Sequence, residues 1–145
     1  MTARFSFWRT ALFDYVYGVA RTPFAWGRHD CALFAAGAVE AMTGEDFAAP
    51  FRGRYATLTG GLRLLKKAGF ADHADMAASL FEEQHPSIAQ VGDIVAIDDA
   101  GHVALGVVQG ALIYVLKPGA AGIGTVSRFE AKRSFRVPFD IGGNL

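Results

Sequence analysis

Near the N-terminus, apolar side chains recur at a helical interval. Phe5, Trp8, Leu12, Tyr15, Val16 and Val19 stand three or four positions apart, with Arg9 and Asp14 between them. This pattern predicts an amphipathic helix over residues 5–19, weakened at Gly18 and closed by Pro23. A second helix is expected over "CALFAAGAVEAMTG". Asp30 stands at its cap position, its small residues suit a buried central helix, and Gly44 stops it. The segment "EDFAAPFRGRYATLTG" reads as a surface loop. Thr57 or Thr59 opens a short helix ended by Gly69, an amphipathic piece runs from Asp75 to Glu83, and "EQHPSIAQVGD" reads as loop.

After Gly92 the texture changes. "DIVAID", "HVALGVVQG", "ALIYVLKPG" and "IGTVSRF" are short β-rich runs separated by Gly, Asp and Pro. Breaks at Asp98–Gly101 and at Gln109-Gly110 predict hairpins. Helices first and an antiparallel sheet second make an α+β layout, with the helices packed on the C-terminal sheet.

Composition narrows the chemistry. The 145 residues are 52% hydrophobic, enough for one core, and residues 1–145 read as a single domain. Fourteen basic residues balance fourteen acidic ones, and only short pairs such as Lys66-Lys67 and Lys132-Arg133 occur, so no nucleic-acid partner is expected. One cysteine excludes an internal disulfide and a cysteine-based zinc site. His29, His73, His85 and His102 lack close metal-ligand spacing, so neither metal nor cofactor is expected. The N-terminal stretch is broken by Arg4, Arg9 and Asp14, which argues against a signal peptide or a membrane span and for synthesis in the cytoplasm.

The single cysteine, Cys31, stands at a helix start rather than among core leucines. Unpaired N–H groups and the helix dipole at such a position favour the thiolate, while the neighbouring Asp30 partly counters them. A thiol nucleophile also needs an imidazole to take its proton and return it to a leaving amine. His29 is near in sequence, but residues two apart across a helix start point in different directions. His102, at the start of an apolar strand after an Asp-Asp-Ala-Gly turn, is the better partner. Trp26 and His29, with Asp30, are candidate cleft residues. Asp93 reads as a turn residue capping backbone N–H groups. His73 and His85 receive no role.

"WGRHDCALF", followed by "VGDIVAI", "GHVALGVVQG" and "ALIYV", resembles the NlpC/P60 superfamily of papain-like cysteine peptidases over roughly residues 20 to 116. The compact form is similar to small members of bacteriophage and prophage tail clusters. The resemblance implies Cys31 as nucleophile and His102 as general base. The third position, usually His, Asn or Gln, falls by counting on Tyr114, which departs from the pattern. The implied activity is hydrolysis of an amide bond in a peptidoglycan stem peptide. The implied partners are tail hub, tape-measure or baseplate proteins, and the implied location is the virion tail. A structural tail module with an idle cleft is the competing expectation, and the same thiol–imidazole pair would also serve a thioesterase, acyltransferase or small-substrate amidase.

Overall fold

The computed structural model describes residues 2–139. Four helices precede most of a six-stranded sheet. Helix α1 spans Trp8–Val19, α2 Cys31–Thr43, α3 Leu58–Lys67 and α4 His73–Leu80. The strands are β1 Glu82–Gln84, β2 Ile94–Asp99, β3 His102–Val108, β4 Leu112–Val115, β5 Gly124–Ser127 and β6 Arg133–Arg136. They are ordered β1-β6-β2-β3-β4-β5, with every pairing antiparallel. The expected α+β architecture, helices on an antiparallel sheet, is the one observed.

Helix α2 is the centre of the molecule. The Asp30 carboxylate accepts from the Leu33 N–H at its N-terminus, and Gly44 adopts a left-handed conformation at its end. Ten of its thirteen residues are buried, so it lacks a solvent face and must be covered on all sides. It packs on β3 beneath and against α1 above. The close approach of α1 depends on Gly37: a Cβ there would lie 2.2 Å from the Tyr15 hydroxyl, which instead donates to the Phe34 carbonyl at 2.9 Å. Phe34, Val39 and Met42 of α2 join Ile94, Leu105, Ile113 and Phe135 of the sheet in one apolar cluster.

Two elements differ from the sequence reading. Helix α4 begins at His73 rather than Asp75, because the Asp72 carboxylate caps it through the Asp75 N–H. It also ends at Leu80, and the next residues pair with β6 as strand β1, so Glu82–Gln84 are neither helix nor loop. Both β1 and β6 are short and mostly polar, and they form because each completes the other's backbone hydrogen bonds at the edge beside β2.

The β2–β3 hairpin is tight. Ala100 and Gly101 turn it with φ of 52° and 86°, and Ala100 is the sole non-glycine residue with positive φ among the described residues. The Asp98 carboxylate accepts from the Gly101 N–H at 3.1 Å. Two left-handed central residues match the twist of the flanking strands. They also fix the register, which sets Asp99 directly across from His102.

Candidate active site

The chain from Phe24 to Asp30 folds back on itself before entering α2. Ala25 and His29 exchange backbone hydrogen bonds of 2.8 Å, forming a small loop around Trp26 and Gly27. The Asp30 carboxylate closes this loop. It accepts from the Gly27 N–H at 3.0 Å, from the Leu33 N–H at 3.0 Å and from the Tyr55 hydroxyl. Asp30 is 1% exposed and does not line the cleft described below, so its place is structural rather than on the cleft wall. Burial, with Asp30 as hydrogen-bond partner, pushes the Tyr55 phenol well above its ordinary range.

Gly27 has φ of 78°, and a Cβ on it would stand 1.8 Å from the Tyr55 carbonyl oxygen. Backbone would have to move to admit it. Gly27→Ala is therefore expected to cost more than about 2 kcal/mol, combining left-handed strain with the clash. Urea unfolding of the variant checks this, and a loss below about 0.5 kcal/mol would be incompatible with this loop geometry.

The loop, α2, α4 and the β2–β3 hairpin line a small, partly open cleft of about 100 Å³. Phe24, Trp26, Leu58, Val103, Ala104 and Pro118 make its apolar walls. Trp26 meets Phe24 edge to face at 4.6 Å between ring centroids. The polar side chains lining it are Cys31, His73, Asp99 and His102. Cys31 is the first residue of α2 and lies at the base, 7% exposed, whereas His102 is exposed at the rim.

Burial is the main influence on the thiol in this arrangement. Burial pushes Cys31 up to about 12, and Asp30 and Asp99 add to the rise, while contacts with the Leu105 and Ala32 backbones oppose it. The expected lowering by the helix terminus is thus outweighed by desolvation and two nearby carboxylates.

Tyr114 does not stand beside His102. It pairs with Val107, five residues along an unbroken β3 register, roughly 16 Å from the histidine at ordinary strand rise. An odd separation also puts the two on opposite faces of the sheet. Tyr114 packs half-buried against the apolar core, so it cannot orient the His102 ring as counting along the sequence implied. The residue that shares a face with His102 is Asp99, its direct cross-strand partner and a fellow lining residue of the cleft.

His29 also lies away from the cleft. Its ring meets Phe34 edge to face at 6.3 Å, its Nε2 is buried, and burial lowers its pKa. His73 is the addition that sequence reasoning missed. The Asp72 cap, directly after "GFA", was the local signal for a helix start at this histidine.

Residues 3–137 match the family described as Domain of unknown function (DUF6950). The chain belongs to this family. A comparison with solved structures aligns this DUF6950 chain with the crystal structure of the NlpC/P60 domain of the peptidoglycan hydrolase SagA. The alignment covers 88% of this chain and 97% of that one, with a TM-score of 0.53 and 16% identity. The DUF6950 chain therefore has the NlpC/P60 fold. No curated protein matches it. Among the described residues no helix is long and apolar enough to cross a membrane, and no cluster of His, Cys, Asp or Glu could hold a metal ion.

Proposed function

We propose that the protein is a cysteine peptidase or amidase that hydrolyses amide bonds of peptidoglycan stem peptides. The observation that carries this reading is the single cleft lined by both Cys31 and His102 on the NlpC/P60 fold, which is also the fold of a peptidoglycan hydrolase domain. The Cys31 sulfur attacks the amide carbonyl as its proton passes to His102. The carbon–sulfur bond forms, the carbon–nitrogen bond breaks, and the imidazolium protonates the departing amine. Water then attacks the thioester, with His102 taking one of its protons, and the carboxylate leaves as the thiol is restored. In this scheme the oxyanion is stabilised by the N–H groups of Cys31 and Ala32, which as the first two residues of α2 have no partner within the helix. Asp99, the cross-strand neighbour of His102, takes the third position in this scheme in place of Tyr114.

The resemblance to small tail-cluster proteins supports placing this hydrolase in a phage or phage-like tail, beside hub, tape-measure or baseplate proteins. The raised pKa of Cys31 favours a second reading, a tail module whose cleft is idle. Digestion of purified peptidoglycan sacculi separates the two. The wild-type protein is expected to release soluble peptides with new amino termini, and Cys31→Ala to release at least about a thousandfold less. Equal, background-level release by both proteins would sink the hydrolase reading and leave the idle module.

A further inference from the structure

We infer that His73 is the hydrogen-bonding residue that orients a peptide in the Cys31 cleft, by pairing with an uncharged amide group beside the scissile bond. The inference rests on the reading of the cleft as a peptide site. Three of the four polar side chains that line the cleft are occupied by the proposed chemistry: Cys31 as nucleophile, His102 as proton carrier and Asp99 as its orienting group. His73 is the fourth. It comes from α4, which packs against β3.

His73 is only 7% exposed, and its Nδ1 is buried with no hydrogen-bond partner among the described residues. An unsatisfied buried polar atom is destabilising, and a phenylalanine or leucine at the same place would avoid that cost. Burial lowers the pKa of the ring, with Asp30, Asp72 and the Val103 backbone opposing, and its position in the first turn of α4 also disfavours a positive charge. With one ring nitrogen engaged by the Val103 backbone, the neutral imidazole keeps Nδ1 to hydrogen-bond an amide. An ammonium or carboxylate would have to be stripped of water against Phe24, Trp26, Leu58 and Pro118, which the apolar walls oppose. In a mostly apolar cleft, one well-placed polar group is enough to set the direction in which a peptide lies.

The test uses Cys31→Ala protein with ¹⁵N-labelled histidine and the tripeptide L-alanyl-γ-D-glutamyl-meso-diaminopimelate. On saturation, the His73 ring nitrogens are expected to shift, while those of the distant His85 do not. In wild-type protein, His73→Phe is expected to raise KM for the tripeptide about tenfold with kcat nearly unchanged, as for lost uniform binding. A purely structural histidine would lower the melting temperature without moving KM. If wild-type protein cleaves the tripeptide and His73 does not shift, the inference fails and the hydrolase reading stands. If His73 shifts but nothing is cleaved, the hydrolase reading fails and His73 remains a peptide contact. Neither shift nor cleavage overturns both.

Discussion

Asp93→Ala is expected to lower the unfolding free energy by about 3–5 kcal/mol, the cost of stranding a buried cation. The Asp93 carboxylate accepts from Arg4 Nη2 at 2.9 Å and from the Val137 N–H at 3.2 Å through one oxygen. Through the other it accepts from Gln84 Nε2 at 2.8 Å and from the Gln90 N–H at 2.9 Å. These partners come from the N-terminal segment, the residue after β6, strand β1 and the turn before β2, so one side chain ties together four parts of the chain. The ion pair is almost wholly buried, with side-chain exposures of 1% for Arg4 and 3% for Asp93. Arg4 also donates to the Val91 carbonyl at 2.8 Å and lies over the rings of Trp8 and Phe139, at 4.3 and 4.0 Å from their centroids. Even so, burial lowers its pKa to about 10, with Asp93 as the main opposing influence. Removing the carboxylate leaves that guanidinium in an apolar site with nothing to balance it. Urea unfolding of the variant checks the figure. Asp93→Asn, which keeps an acceptor oxygen but not the charge, is expected to fall between wild type and Asp93→Ala. A loss below about 1 kcal/mol for Asp93→Ala would mean that the guanidinium finds water when its partner is gone.

Iodoacetamide is expected to alkylate Cys31 in the free protein about a thousandfold more slowly at pH 7 than a thiol of ordinary pKa, because only the thiolate reacts. The thiol is held near 12 against an ordinary 9.0, and burial is the main cause. The rate should climb with pH well past 9 and become ordinary once the protein unfolds. The same shift has a stability consequence. A group whose pKa is raised on folding stabilises the fold fully below its unfolded value, so this contribution is intact below pH 9 and is lost as pH rises toward 12. The buried phenols of Tyr15 and Tyr55 act in the same direction at still higher pH. Comparing wild type with Cys31→Ala across pH 8 to 12 isolates the cysteine, and the variant should lose less stability on going alkaline. Rapid alkylation below pH 8 that disappears in His102→Ala would overturn this and reveal a preformed thiolate–imidazolium pair.

The secondary elements that rest on local signals were legible in the chain. Helix α2 was marked by Asp30 ahead of an Ala-rich run and Gly44 behind it, and it spans Cys31–Thr43. The apolar runs after Gly92 became β2 to β5, with turns at the Gly and Asp breaks. Strands β1 and β6 carry no such signal. They are three and four residues long, and their pairing joins positions about fifty residues apart. The electrostatic role of Asp93 was half visible, since its backbone caps follow from a turn but its ion pair with Arg4 spans 89 positions.

At the cleft the division is similar. The sequence by itself determined that one cysteine begins a capped helix and that one histidine opens an apolar strand after a tight turn, because capping and turn chemistry act between residues a few positions apart. Only the tertiary structure decided what surrounds them. Strand register set Asp99 across from His102 and carried Tyr114 five residues along the strand and to the other face, a placement that sequence counting does not resolve. Packing of the sheet and loop over Cys31 reversed the pKa expected from the helix start, because desolvation depends on every neighbour in space. The docking of α4 brought His73 to the same cleft from more than forty residues away in the chain, and no local pattern encodes such a contact.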